Sequence, residues 1–302
     1  MSSLKDLRIR IKSVQSTKKI TSAMKMIAAA KLRKAQERAQ AARPYAIYMA
    51  HMLVDLLSRQ EKLKAVPKLL SGTGQDRSHL LVVATSNRGL CGSFNSSIVR
   101  KAKTLVHKLQ SEKKEVKIYC VGQNGFEHLR HDFESLIVSK KPNVTDPGFH
   151  DAEAIALDLV DRFNAEEFDM CTFIYNRFLS PIKQEVTAHR LIPFTQLEDD
   201  FTMFKLGEVD LKHEAEATSI YVYEPSKEEV LSELIPRNIK IQVFRALLEN
   251  SASEHGARMA AMDGATRNAN DMINNLTLTY NRTRQAHITR ELIEIISGAE
   301  AL

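Results

Sequence analysis

The chain has 302 residues, 43% of them hydrophobic and 26% charged, with a formal net charge of +6. That is the composition of folded material in one or two domains, and no run approaches the eighteen or so apolar residues of a membrane-spanning helix. Cys91, Cys120 and Cys171 are odd in number and widely spaced, which excludes a disulfide framework or a clustered metal site and fits a reducing compartment.

No glycine occurs before Gly72, and only Pro44 and Pro67 interrupt the opening segment. Leu4, Leu7, Ile11 and Val14 begin an apolar stripe. Met24 and Ala28 carry it on, and Leu32, Ala35, Ala39, Ala42, Ala46, Met49, Leu53 and Leu56 continue it in steps of three and four. This is the spacing of a coiled-coil seam, and it predicts a long helix over residues 1–70. The same segment concentrates charge. Residues 1–43 hold twelve Lys and Arg against Asp6 and Glu37, a local +10 that leaves about −4 for the remainder. A basic amphipathic start also suits a transit peptide, but the helical pattern runs past Arg43, so the segment is read as mature protein. The cations suit a solvated helix face, the acidic surface of a protein partner, or phosphates of a nucleic acid. No aromatic residue precedes Tyr45, which argues against a base-stacking platform.

The polar stretch Ser71–Asp76 marks a boundary. Leu80–Thr85 reads as a buried strand and feeds the turn Asn87-Arg88-Gly89-Leu90-Cys91-Gly92-Ser93, with a helix expected over Ser96–Leu109. Strands are expected at Val116–Gly122, Leu136–Val138, Met170–Tyr175 and Gln184–Leu191. Helices are expected at Gly125–His131 and Asp151–Phe163. This alternation predicts an open, mainly parallel α/β sheet. An acidic linker follows at residues 196–217, then a short strand at Thr218–Tyr223. Ser226 with Glu228 and Glu229 favours a helix start, and Pro236 is expected to kink or break that helix. The organisation expected is an N-terminal coiled-coil helix (residues 1–70), an inserted α/β domain (residues 77–225) and a C-terminal coiled-coil helix (residues 226–302).

The last sixty-odd residues lack proline and repeat apolar or small residues at Met262, Ala265, Ala269, Met272, Leu276, Thr279, Thr283 and Ala286. A helix of that length would extend roughly 90 Å and cannot bury its own stripe. The N-terminal helix is the natural antiparallel partner. Near its end Arg284, Gln285, Thr289 and Glu291 form a polar belt, and Leu292, Ile293, Ile295 and Ile296 restore an apolar terminus. Such a belt costs stability unless partners satisfy it, which suggests insertion into a collar of other subunits.

Candidate chemistry is sparse. The Asn87–Ser93 turn lacks both G-x-G-x-x-G and the Gly-Lys-Ser/Thr of a phosphate loop, so no nucleotide is expected there. Cys91 opens a helix, where thiol pKa falls, but no histidine neighbours it and it reads as packing. Among ten histidines there is no H-x-x-x-H or H-E-x-x-H, so no metal and no cofactor are expected. No catalytic residue is assigned, and the chain alone does not read as an enzyme.

Two motifs give a resemblance over the whole length. One is Ile20-Thr21-Ser22-Ala23-Met24-Lys25-Met26-Ile27-Ala28-Ala29-Ala30-Lys31-Leu32 with Ala42-Arg43-Pro44-Tyr45. The other runs from Leu278 to Leu292 and ends Glu294-Ile295-Ile296-Ser297-Gly298-Ala299, while Ser86–Gly92 supplies a third, shorter match. The sequence resembles the gamma subunit of the F-type ATP synthase. The resemblance implies a non-catalytic rotor shaft that couples proton-driven rotation of the membrane c-ring to conformational cycling of a hexamer of three alpha and three beta subunits. It implies contact of Met24, Lys25, Arg258, Gln285, Thr289 and Glu291 with the beta subunits, and of Arg43, Tyr45, Tyr223 and Glu224 with the c-ring at the foot, beside the epsilon subunit. It also implies peripheral attachment at the cytoplasmic face of a bacterial inner membrane, with the mitochondrial matrix face as the alternative. The paired-cysteine insertion of chloroplast relatives is missing, so no thiol switch is expected. The alternative function is a coiled-coil adaptor that binds nucleic acid through its basic helix.

Overall fold

The computed structural model describes residues 3–58, 67–142, 146–194 and 227–300. The helices and strands, in order, are α1 (Leu4–Ser58), α2 (Lys68–Ser71), β1 (Ser78–Ala84), α3 (Phe94–Ser111), β2 (Glu115–Val121), α4 (Gln123–Phe133), β3 (Ile137–Lys141), α5 (Phe149–Asn164), β4 (Met170–Phe178), β5 (Gln184–Ile192) and α6 (Lys227–Glu300). They divide between two compact units. One comprises Met1–Ala30 with Arg258–Leu302, the other Lys31–Ala257. The strand expected at Thr218–Tyr223 and the helix start at Ser226 lie outside the described residues.

The larger unit is built on a five-stranded sheet of order β3-β2-β1-β4-β5. β1 pairs parallel with β2 and β4, and β2 with β3, while β5 returns antiparallel to β4. The predicted alternation of strands and helices is therefore present. Along β1, successive side chains enter opposite cores. Leu81 and Val83 pack with Ile98, Ala102, Val106 and Leu129 of α3 and α4. Leu80, Val82 and Ala84 pack with Ala152, Ile155 and Leu159 of α5 and with Leu231, Ile235, Ile239 and Val243 of α6. Burial on both faces is why these strands read as apolar runs rather than as alternating ones.

Pro236 lies within α6, which continues through it. Of the kink or break expected from the sequence, the break does not occur. A proline inside a helix removes one hydrogen bond, at about 3 kcal/mol. Leu231, Ile235, Ile239 and Val243 around it are each at most 2% exposed. Each such burial contributes about 1.5–3 kcal/mol, so the sheet-facing stripe outweighs the local defect.

At the carboxyl edge of the sheet, Gly122 has φ +104°, and a Cβ there would lie 2.2 Å from the Thr85 carbonyl oxygen. Only glycine fits that approach. At the opposite edge, Asp169 accepts from Thr73 Oγ1 at 2.6 Å and from the backbone N–H groups of Arg77 and Ser78 at 3.0 Å each. One carboxylate thus ties the entry to β1 to the entry to β4. Burial opposes its charge, but these hydrogen bonds prevail and hold its pKa below the usual carboxylate value.

Candidate contact surface of the helical pair

In the smaller unit, residues 3–30 of α1 and 258–300 of α6 run antiparallel. The α1 N-terminus is capped reciprocally. Asp6 N–H donates to Ser3 Oγ and Ser3 N–H to the Asp6 carboxylate, both at 3.2 Å. On α1 the buried and half-buried positions include Leu4, Leu7, Ile11, Val14, Lys18, Thr21, Lys25 and Ala28, which alternate in steps of three and four, with Ser22, Met24 and Ala29 half-buried beside them. The apolar stripe read from sequence thus continues through three polar residues. On α6 the facing positions are Met262, Thr266, Ala269, Ile273, Leu276, Tyr280 and Thr283. The seam expected at Met272 and Thr279 is one residue off, and Met272 is exposed. Sequence alone favours Met272 over its neighbour, whereas Ile273 is the residue turned inward.

Three cross-helix contacts fix the register. Lys18 Nζ donates to Asn270 Oδ1 at 2.7 Å, Thr266 Oγ1 to Thr21 Oγ1 at 2.8 Å, and Lys25 Nζ pairs with Asp263 Oδ1 at 2.6 Å. Arg267 Nη2 adds a 3.3 Å contact to Asp263 Oδ2. The Lys25 ammonium, with Arg267 in support, holds the Asp263 carboxyl below its ordinary pKa. Met24 beside Lys25 is half-buried, as is Arg258.

Continued toward the α1 N-terminus, this register places Leu4 near Thr283. Beyond that level no described residue of α1 faces α6, and residues 284–297 are exposed throughout. Thr289 Oγ1 donates to the Gln285 carbonyl at 3.0 Å, so these side chains share one face. Glu291 lies on another face, its Oε1 3.1 Å from His287 Nδ1. The structure thus brings Gln285 and Thr289 together but not Glu291. It sets Lys25 and Asp263 about 33 Å further down the helix, from the 22 residues between Asp263 and Gln285. Ile288, Leu292, Ile293, Ile295 and Ile296 surround the tip with exposed apolar surface, and Ile9, Ile20, Met26 and Ile27 do so on the outside of α1. The α1 residues were not singled out from the sequence. Their signal was apolar side chains lying off the seam of a helix whose seam was already assigned.

In the larger unit, Tyr45 is partly exposed, with the Arg237 guanidinium 5.7 Å from its ring centroid. The Arg43 side chain, Tyr223 and Glu224 lie outside the described residues. Lys34 Nζ pairs with Asp146 Oδ2 at 2.9 Å, and Arg38 engages the other oxygen of that carboxylate. Part of the basic stripe of α1 is therefore neutralised within the chain.

Ligands of open α/β sheets bind at the strand carboxyl ends where the order reverses, here between β1 and β4. That place is filled by the protein itself. Asn95 Oδ1 accepts from Ser86 N–H at 3.0 Å, and Asn95 Nδ2 lies 3.4 Å from Cys91 Sγ. On β4, Asn176 N–H donates to Asn250 Oδ1 at 3.1 Å and its carbonyl accepts from Ser253 Oγ at 2.9 Å. One turn of α6 thus plugs the crevice. All three thiols are buried, and burial pushes Cys120 up to about 12 and raises Cys171 as well, so neither is a thiolate at neutral pH.

A family model described as ATP synthase matches residues 3–302. The ATP synthase gamma chain of Rhodospirillum rubrum is 52% identical over 304 residues, and that of Rhizobium johnstonii 53% identical over 305, each covering 100% of both chains. A chain of the central stalk and c-ring structure of the Tetrahymena thermophila mitochondrial ATP synthase is 31% identical, with TM-score 0.58 over 82% of this chain and 99% of that one. A chain of the Euglena gracilis mitochondrial enzyme, 21% identical with TM-score 0.65 over 99% of this chain and 94% of that one, shares the fold. The chain belongs to the gamma-subunit family of ATP synthase. It is a non-catalytic stalk subunit, and the nucleic-acid adaptor reading is set aside.

Proposed function

We propose that this chain is the central rotor shaft of an ATP synthase, turned by a proton-driven c-ring and turning inside a hexamer of alpha and beta subunits. The observation that carries this reading is the tip of α6, which runs past the start of α1 with Gln285 and Thr289 among exposed isoleucines and leucine. A rotating shaft must meet three equivalent collars in turn without adhering to any one. An apolar sleeve with few hydrogen-bonding catches suits that requirement. Each collar then changes its nucleotide affinity only by as much as its contacts with the shaft differ between angles, which is a coupling free energy.

Gln285 and Thr289 are the catches toward beta at the tip, Glu291 reaches a different collar at the same angle, and Arg258 serves lower on the shaft. Met24 contributes from α1. Lys25 meets beta through whatever charge its pairing with Asp263 leaves exposed. Arg43, Tyr45, Tyr223 and Glu224 contact the c-ring, with the epsilon subunit beside them. No helix among the described residues is long and apolar enough to cross a membrane. That suits peripheral attachment through the assembly, at the cytoplasmic face of the inner membrane as the bacterial relatives suggest.

The test is reconstitution with alpha and beta subunits and observation of single molecules during ATP hydrolysis. The buried native thiols do not offer an attachment point, so the bead is fixed to an exposed position through Gln110→Cys on α3. Stepwise rotation that requires this chain is the expected result. Hydrolysis by the assembled complex with a stationary bead would overturn the shaft reading.

A further inference from the structure

We propose that the three consecutive polar rungs Lys18–Asn270, Thr21–Thr266 and Lys25–Asp263 are a register lock, which fixes the axial offset of α1 against α6. The three-and-four seam, on which Lys18, Thr21, Lys25 and Thr266 fall and which Asp263 and Asn270 flank, would be satisfied nearly as well after a slip of one heptad, because apolar or small residues continue it on both helices. A slip in one direction would bring Asp263 opposite Leu32 and Thr266 opposite Ala28. The opposite slip would bring Asn270 opposite Ile11 and Thr266 opposite Val14, and would take the carboxylate away from Lys25. Either shift strands a polar group against an apolar seam, at a cost the native register avoids.

Stability is not what the rungs supply. The Lys25 and Asp263 side chains are 45% and 35% exposed, and ion pairs so open to solvent contribute little. A leucine at the same positions would bury more apolar surface. Polar residues at seam positions instead give up stability to specify one register. What that register sets is the reach of the α6 tip. A one-heptad slip would move Gln285 and Thr289 by about 10 Å relative to α1, from seven residues at 1.5 Å each. The consequence for rotation rests on the shaft function proposed above. The register itself does not.

Disulfide trapping in the full-length chain reads the register directly. Ile11→Cys with Leu276→Cys reports the native offset, and Ile11→Cys with Ala269→Cys or Thr283→Cys reports the two slipped ones. The native thiols are buried and do not compete. On the otherwise unchanged chain only the native pair closes. Lys25→Asp sets two carboxylates face to face, and is expected to raise the slipped-to-native ratio by about tenfold or more. The exchange Lys25→Asp with Asp263→Lys returns it to the starting value. Should Lys25→Asp fail to fold, Lys25→Leu with Asp263→Leu replaces the rung by apolar packing, and is expected to fold and to admit slipped closure. An unchanged ratio in the foldable variant, or failure of the charge exchange to restore it, overturns the lock. Native closure in an otherwise unchanged chain that drives no rotation in the reconstituted complex would count instead against the shaft reading.

Discussion

The sheet unit and the helical pair are stabilised in different ways. In the sheet unit, Val82, Ile98, Ile118, Phe173 and Ile174 have no exposed surface, and the inner strands β1, β2 and β4 are covered on both faces. In the pair, one narrow seam is closed by Leu7, Ala28, Met262 and Ala269, polar rungs interrupt it, and large apolar side chains such as Ile20, Met26, Ile27 and Ile295 are exposed. A unit that satisfies its own apolar surface can stand as a scaffold. One that leaves isoleucine and methionine exposed along two helices is made to be enclosed by something else.

Deleting a large side chain from each unit would separate the two most sharply. Phe173→Ala removes a fully buried ring between the sheet and its helices and should destabilise the chain by about 3–5 kcal/mol. Met262→Ala in the open seam should cost about 2 kcal/mol, the lower end for such changes. Hydrogen exchange on the intact chain distinguishes them further. Phe173→Ala should lower protection throughout β1, β2 and β4, and Met262→Ala only in residues 3–30 and 258–283. Equal losses in both regions from either change would mean that the pair and the sheet form one cooperative body.

Acid sharpens the same contrast by a smaller amount. Asp169 has a depressed pKa in the folded chain. Its contribution is therefore complete above the unfolded carboxylate value of about 3.9 and is lost as pH falls through the folded one. Asp169→Asn should be less stable than the native chain at pH 7, with the two urea curves converging toward pH 3. A constant difference across that range would show that the charge of Asp169 is not what ties β1 to β4.

Much of this architecture was legible in the residues, unevenly so. Leu80–Ala84 and Met170–Tyr175 announced strands because double-faced burial leaves continuous apolar runs. The helices opposite them announced themselves by period. Pro236 misled because its local cost is visible in the sequence, while the sheet that outweighs it is not. The α6 seam was displaced at Met272 because a coiled-coil stripe is one face among several plausible ones until its partner is placed. Ile273 and Tyr280 become seam residues only opposite Val14 and Leu7. Lys18, Thr21 and Lys25 do not read as seam residues for the same reason, since a polar residue in a seam has meaning only with Asn270, Thr266 and Asp263 across from it. The crevice between β1 and β4 was read as lacking a phosphate loop. That α6 fills it through Asn250 and Ser253 depends on contacts more than seventy residues apart in sequence, beyond any local pattern.

The most direct test of the shaft reading is ATP-driven rotation with the paired substitutions Gln285→Ala and Thr289→Ala. Both side chains are exposed and neither lies in the seam, so folding stability should change by less than about 0.5 kcal/mol. Two lost hydrogen bonds of about 1 kcal/mol each, made only at the loaded angle, predict rotation under load slowed about tenfold or more. Rotation under load at the native speed, in a chain of unchanged stability, would contradict the claim that the exposed tip of α6 is where the shaft is gripped.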